Sequence, residues 1–280
     1  MNTRKLINST PSILFILSLF ISLMSCERDT EQKLDPRDWE LVWSDEFDGE
    51  AGESPNPANW AFDIGTGENG WGNEELQYYT DRPENVSMDG EGNLVITVRS
   101  ESFGGQPFTS ARIKSEGLVE QEFGRVEARL KTPYGPGLWP AFWMLGANFS
   151  EIGWPQCGEI DIMELRGQEP DIIHGSVHGP GYSAGQAVTK KFVLDKSRFD
   201  ADFHVFAIEW YEDQIDFFVD DFLYQRITKD DVPGEYVFNQ PFFIILNVAI
   251  GGTFVGFPNA QTVYPQEMVI DYVRLYKLAD

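Results

Sequence analysis

"EIDIME", Glu159 to Glu164, sets three carboxylates among three large apolar side chains near the middle of a 280-residue chain. Taken as a strand, it places Glu159 and Asp161 on one face and Ile160 and Ile162 on the other, because side chains alternate. Strict alternation then sends Met163 to the acid face and Glu164 into the core. A lone buried carboxylate beside an exposed methionine is unfavourable on both counts. One β-bulge at Ile162/Met163 supplies the extra residue that restores parity, so that Glu159, Asp161 and Glu164 stand in one row. The stretch is therefore expected to be a bulged strand with one acidic face and one apolar face.

Its neighbours carry the same period. "NLVITVRS" (Asn93 to Ser100), "RVEARLKT" (Arg125 to Thr132), "IDFFVDDFLYQRIT" (Ile215 to Thr228) and "VIDYVRLYKL" (Val269 to Leu278) alternate or run apolar over strand lengths, separated by Gly, Pro, Asn and Asp. The run "PFFIILNVAIGG" (Pro241 to Gly252) has the pattern of a buried central strand, and no amphipathic helix of convincing length is visible. Many short strands with regular turn signals predict an all-β sandwich in one domain over residues 39–280. Trp71, Trp139 and Trp154 sit beside Gly or Pro, and Trp143 in the same "GPGLWPAFWML" stretch as Trp139; such positions are at strand ends or loops, where flat rings are often exposed in clefts and sugars stack on them.

The acid row has several candidate uses. Glu159 and Glu164 are effectively four strand positions apart, about 13 Å between Cα atoms at about 3.3 Å per residue. Side chains leaning inward bring their carboxyls toward the ~5–5.5 Å spacing of a nucleophile and acid/base pair acting on a glycosidic bond. Asp161 between them can hydrogen-bond a carboxyl and couple the titrations, so that one member stays protonated near neutrality. Calcium binding is a second use, although ligands on a straight strand rarely converge. A solvated face is a third, but it needs no bulge. Metal hydrolysis calls for histidines, and the chain has only His174, His178 and His204.

A formal charge of −24, from 45 acidic against 21 basic residues, argues against nucleic acid or sulfated polymers as partners and for a neutral one. At the N-terminus Arg4 and Lys5 precede the apolar run Ser12 to Met24, too short to span a bilayer and characteristic of a signal peptide over residues 1–25. "LMSC" (Leu23 to Cys26) resembles a bacterial lipobox, which implies lipidation at Cys26. "CERDTE" after it resembles the export tags of bacterial surface lipoproteins. Residues 26–38 then form a polar tether. The expected location is the outer membrane, lipid-anchored, on its outer or periplasmic side. Lipidation of Cys26 leaves Cys157 unpaired, so no disulfide staples the mature chain.

"GEIDIME" resembles the active-site signature of glycoside hydrolase family 16, and its surroundings resemble the laminarinases of that family. The likeness continues through "VWSDEFDG", "WGNEELQYYT", "GRVEARLKTPYGPGLWPAFWMLG", "WPQCGEIDIMELRG", "HGSVHGPGYS", "FHVFAIEW" and "VIDYVRLYK". It implies a β-jelly-roll of two antiparallel sheets with a concave glycan-binding cleft, and a retaining endo-1,3-β-glucanase. Glu159 would be nucleophile, Glu164 acid/base and Asp161 their assistant. Asn73, Trp139, Trp143 and His178 match cleft positions. Glu46, Gly90 and Asp271 match a structural Ca²⁺ site away from the cleft, formed by backbone carbonyls and one carboxylate. Catalysis needs no cofactor, and a monomer is expected. Phe254 stands in "GGTFVG" where relatives often carry Trp, which affects a subsite rather than the chemistry. The competing readings are a β-glucan-binding protein without catalysis, and a relative acting on mixed-linkage glucan or algal galactan.

Overall fold

The computed structural model describes residues 37–279. The signal peptide, Cys26 and nearly all of the tether lie outside them. Two sheets face each other. In the eight-stranded sheet the order is Val188–Val193, Ile172–His178, Glu159–Leu165, Leu138–Gly146, Phe242–Ile250, Arg112–Lys114 and Ala61–Phe62, with Glu120–Gln121 also on Phe242–Ile250. The ten-stranded sheet runs Phe222–Thr228, Gln214–Val219, His204–Trp210, Gly124–Lys131, Gln266–Leu278, Leu94–Phe103, Gln106–Ser110 and Gln77–Tyr79. Trp39–Asp45 joins it on Gln266–Leu278, and Val86–Met88 on Leu94–Phe103. Every pairing is antiparallel except Gln77–Tyr79 with Gln106–Ser110. The sole α-helix among the described residues is Phe149–Ile152.

The expected bulge is present, and both neighbouring strands register it. On one side Glu159, Asp161 and Glu164 lie opposite His178, Ser176 and His174, so five steps along the acid strand match four along its partner. On the other side Asp161 faces Trp143, Met163 faces Phe142 and Glu164 faces Ala141, leaving Ile162 as the extra residue. Ile160, Ile162, Met163 and Leu165 are all in the sandwich core at 1% exposure or less. Each contributes roughly 1.5–3 kcal/mol by burial, an apolar gain that an inward-facing Glu164 would forfeit while adding a desolvated carboxyl.

Phe242–Ile250 is buried at all nine positions. Phe242, Ile244, Leu246, Val248 and Ile250 enter the main core; Phe243 and Ile245 join Leu145 and Cys157 on the opposite face, with Trp143 against them. The stretch 215–228 is two strands rather than one. Asp220 and Asp221 both take left-handed backbone (φ 48 and 64) and close a two-residue hairpin, the geometry such turns require.

Candidate active site

The acid row stands on the face of the eight-stranded sheet that points away from the core, and neighbouring strands bring the sequence-predicted cleft residues to it. Trp139 and Trp143 come from Leu138–Gly146, and His178 lies directly opposite Glu159 in the ladder. All three are partly exposed, as are Glu159 and Glu164, whereas Asp161 is buried at 3%.

Glu164 accepts a hydrogen bond from the Trp139 indole N–H at 2.8 Å, so this tryptophan orients a carboxyl as well as offering a ring. The Trp139 ring lies 5.1 Å from Phe254, which stands edge-on to His174 at 5.3 Å and beneath the Arg166 guanidinium at 4.4 Å. Phe254 thus packs against the platform beside Glu164. Its turn depends on Gly252, at φ +113: a Cβ there would stand 2.9 Å from the Asn73 carbonyl, which accepts the Thr253 N–H at 2.9 Å.

A second network lies behind Trp143. Its indole N–H donates to Asn247 (2.7 Å), the Asn247 amide to the Tyr79 hydroxyl (3.1 Å), and that hydroxyl to Glu75 (3.3 Å). Gln77 and Asn73 also donate to Glu75, at 2.6 and 3.3 Å. Burial raises the Glu75 pKa, with Gln77, Arg112 and Asn73 opposing. The Arg112 guanidinium sits 4.7 Å from the Trp71 ring centre and 4.8 Å from that of Trp143. Asn73 is therefore tied to Glu75. Glu75, Arg112, Tyr79 and Asn247 are site-supporting residues that sequence reasoning missed. "WGNEELQYYT" contained two of them, but their partners lie up to 168 residues away.

Burial, and then repulsion from Asp161, push both Glu159 and Glu164 well above the ordinary carboxylate range. Burial likewise raises Asp161, and a hydrogen bond with Glu159 opposes it. Charges this close cannot all form cheaply, so the row keeps a shared proton near neutrality. One carboxylate able to attack and one carboxylic acid able to donate are the two roles that glycosidic bond cleavage needs. Burial holds the Cys157 thiol up at about 11, which makes it a poor nucleophile. His174 is driven down to about 4, first by burial and then by Arg166 and Lys191, and stays neutral.

Glu159, Asp161 and His178 each present one donor atom within 4.8 Å of the others. The Nδ1 of His178 is already taken, accepting the Ala184 N–H at 3.0 Å, so only Nε2 faces the acids. Glu46, Gly90 and Asp271, expected from the resemblance to hold calcium, lie on the other sheet and its loops. Asp271 is the extra residue at a register shift in Gln266–Leu278, and one of its oxygens pairs with Arg129. Its second oxygen, and the carbonyls of Glu46 and Gly90, accept no hydrogen bond among the described residues; each is an oxygen of the kind a hard cation takes. The Glu46 side chain is occupied by Arg274 at 2.7 Å. A separate hollow of about 250 Å³ between Trp39, Phe123, Tyr211 and Lys277 is remote from the acids. Its indole and phenol protons are already given to Glu209.

A β-sandwich with two glutamates flanking an aspartate, beside tryptophans on an outer sheet face, is the arrangement of a β-sandwich glycoside hydrolase. Residues 73–274 match the family described as "Glycosyl hydrolases family 16", and the chain belongs to it. A β-glucanase of Rhodothermus marinus is 40% identical, over 94% of this chain and 93% of its own. The laminarinase catalytic domain of Thermotoga maritima MSB8 superposes with a TM-score of 0.82 at 46% identity, covering 87% of this chain and 100% of that one. The endo-β-1,3-glucanase of Pyrococcus furiosus gives 0.83 at 47%, covering 88% and 97%. The fold is that of these family 16 jelly-roll enzymes, and the protein is a glycoside hydrolase.

Proposed function

We propose that the protein cleaves internal 1,3-linkages of a neutral β-glucan with retention of configuration. Ionised Glu159 attacks the anomeric carbon while protonated Glu164 gives its proton to the departing glycosidic oxygen, leaving a covalent glycosyl-enzyme. Glu164, now a carboxylate, takes a proton from water as it attacks the same carbon, and Glu159 departs. Asp161 supplies the charge that keeps the Glu164 proton in place, and the Trp139 N–H aims that carboxyl. Trp139 and Trp143 offer ring faces to the uncharged sugar. The observation that carries this reading is the bulge, which puts both glutamates on the face that also bears the tryptophans.

Product analysis on laminarin, mixed-linkage glucan, agarose and carrageenan tests it. Rapid release of short oligosaccharides from laminarin, slower release from mixed-linkage glucan and none from sulfated galactan is expected. A best rate on agarose or carrageenan would overturn the substrate assignment, and binding of laminarin without cleavage would favour a glucan-binding protein.

Two further features belong to this reading. Calcium held by the Glu46 and Gly90 carbonyls and Asp271 would be structural, tying a loop to the closing strand on the sheet opposite the acids. Comparing the melting temperature in calcium and in chelator reads this directly. Lipidation of Cys26 would hold a monomeric enzyme at the outer membrane.

A further inference from the structure

His178 is gripped from several directions. Gly179 and Tyr182 exchange backbone hydrogen bonds of 3.1 and 3.0 Å just after it, and the buried Tyr182 hydroxyl donates to the Glu235 carbonyl at 2.7 Å. From that anchored turn the chain reaches Ala184, whose φ of +50 is left-handed backbone rarely adopted by a residue with a Cβ. In this conformation the Ala184 N–H donates to His178 Nδ1 at 3.0 Å. The Trp154 ring closes another side, 6.1 Å from the imidazole.

A ring nitrogen that accepts a hydrogen bond carries no proton, so the neutral imidazole bears its proton on Nε2. That nitrogen lies 3.0 Å from Asp161 Oδ2 and 3.6 Å from Glu159 Oε1. Asp161 Oδ2 is buried and accepts no hydrogen bond among the described residues. The approach is close without being linear, the looseness common in substrate-free sites.

We propose that the 179–184 turn selects the Nε2–H tautomer of His178, and that this N–H orients the Asp161 carboxyl and, through it, Glu159 for attack. His178 is then a positioning residue whose own proton stays in place during turnover. The inference rests on Glu159 as the attacking group and assigns the imidazole a task beyond sugar contact.

Two measurements test it. Long-range ¹H–¹⁵N correlation on the ¹⁵N-histidine-labelled full chain at pH 8.5 reads the tautomer without any substrate, so its outcome is independent of the glucanase reading. With three histidines in the chain, the His178→Gln spectrum assigns the signal. An unprotonated Nδ1 with a protonated Nε2 is expected; an Nδ1–H tautomer or a doubly protonated ring overturns the proposal. In kinetics, the amide nitrogen of Gln reaches the place of Nε2, whereas that of Asn reaches only the place of Nδ1. His178→Asn should lower kcat about 100-fold and His178→Gln no more than about 10-fold, with KM moved less than about 3-fold in each. Equal losses in both variants, or a loss confined to KM, contradict the positioning role. Should either variant lose its near-UV circular dichroism, the wild-type tautomer decides.

Discussion

Asp161 explains why so much acid is tolerated in a core-facing strand. Burial moves it from 3.8 to about 8, and its charge in turn raises both glutamates, so the aspartate retains protons where the chemistry needs one. Asp161→Asn removes that charge. The pKa values of Glu159 and Glu164 then fall, and both limbs of the kcat/KM profile are expected to move to lower pH with reduced turnover. The same change bears on stability. A carboxyl whose folded pKa lies above its unfolded value destabilises the fold as pH rises from the unfolded pKa through the folded one, because the folded chain holds the extra protons. Asp161→Asn should therefore raise Tm at pH 8 relative to wild type, with the gain shrinking toward pH 4. Coincident pH–rate profiles, or a gain that is largest at pH 4, would contradict the coupling.

For the strand as an element, one extra residue decides which face carries Glu164. Deleting Ile162 should remove the bulge and keep the three acids on one face, with loss of one core side chain at about 2–5 kcal/mol. Duplicating Ile162 should instead set Glu164 six positions from Glu159, on the same face but about 7 Å farther along the row with an isoleucine between the acids, and abolish activity even where circular dichroism shows a folded β-protein. Activity equal in the two variants would mean that spacing along the row does not position Glu164. This part of the site was legible in the sequence because a strand's period of two is strict, so a single misplaced Met–Glu pair betrays the bulge. Phe242–Ile250, apolar at every position but Asn247, was legible from its nearly unbroken hydrophobic run. Asp220–Asp221 shows the opposite case: the two aspartates looked like part of a continuous strand, and only their left-handed backbone makes them a turn.

Across the whole molecule, what the sequence left hidden is contact between distant segments. Nothing near Trp139 announces that its N–H meets Glu164, and nothing near Asn73 announces Glu75 as the hub of a network reaching Asn247. Such pairs are set by how the sheet's strands are ordered, which local patterning does not encode. The resemblance to family 16 supplied the cleft positions of Trp139, Trp143 and His178, but not the hydrogen bonds that hold them. Charge and the N-terminal run belong to this scale as well. The formal charge of −24 on the full chain suits a neutral polymer. Expressed in a diderm bacterial host, the protein should sediment with membranes and Cys26→Ala should release it, since acyl chains on one cysteine suffice for attachment. Equal soluble fractions for both forms would remove the anchor.

The central claim is the division of labour between Glu159 and Glu164, and azide reports on it. In Glu159→Ala, azide entering the gap left by the nucleophile should yield an inverted α-glycosyl azide. In Glu164→Ala, an activated aryl glycoside can still form the glycosyl-enzyme, and azide displacing Glu159 should yield the retained β-azide. NMR of the two products gives the anomeric configuration directly. Opposite configurations assigned in this way are the predicted result; the reverse assignment would exchange the roles, and near wild-type hydrolysis by both variants would take these carboxylates out of the chemistry.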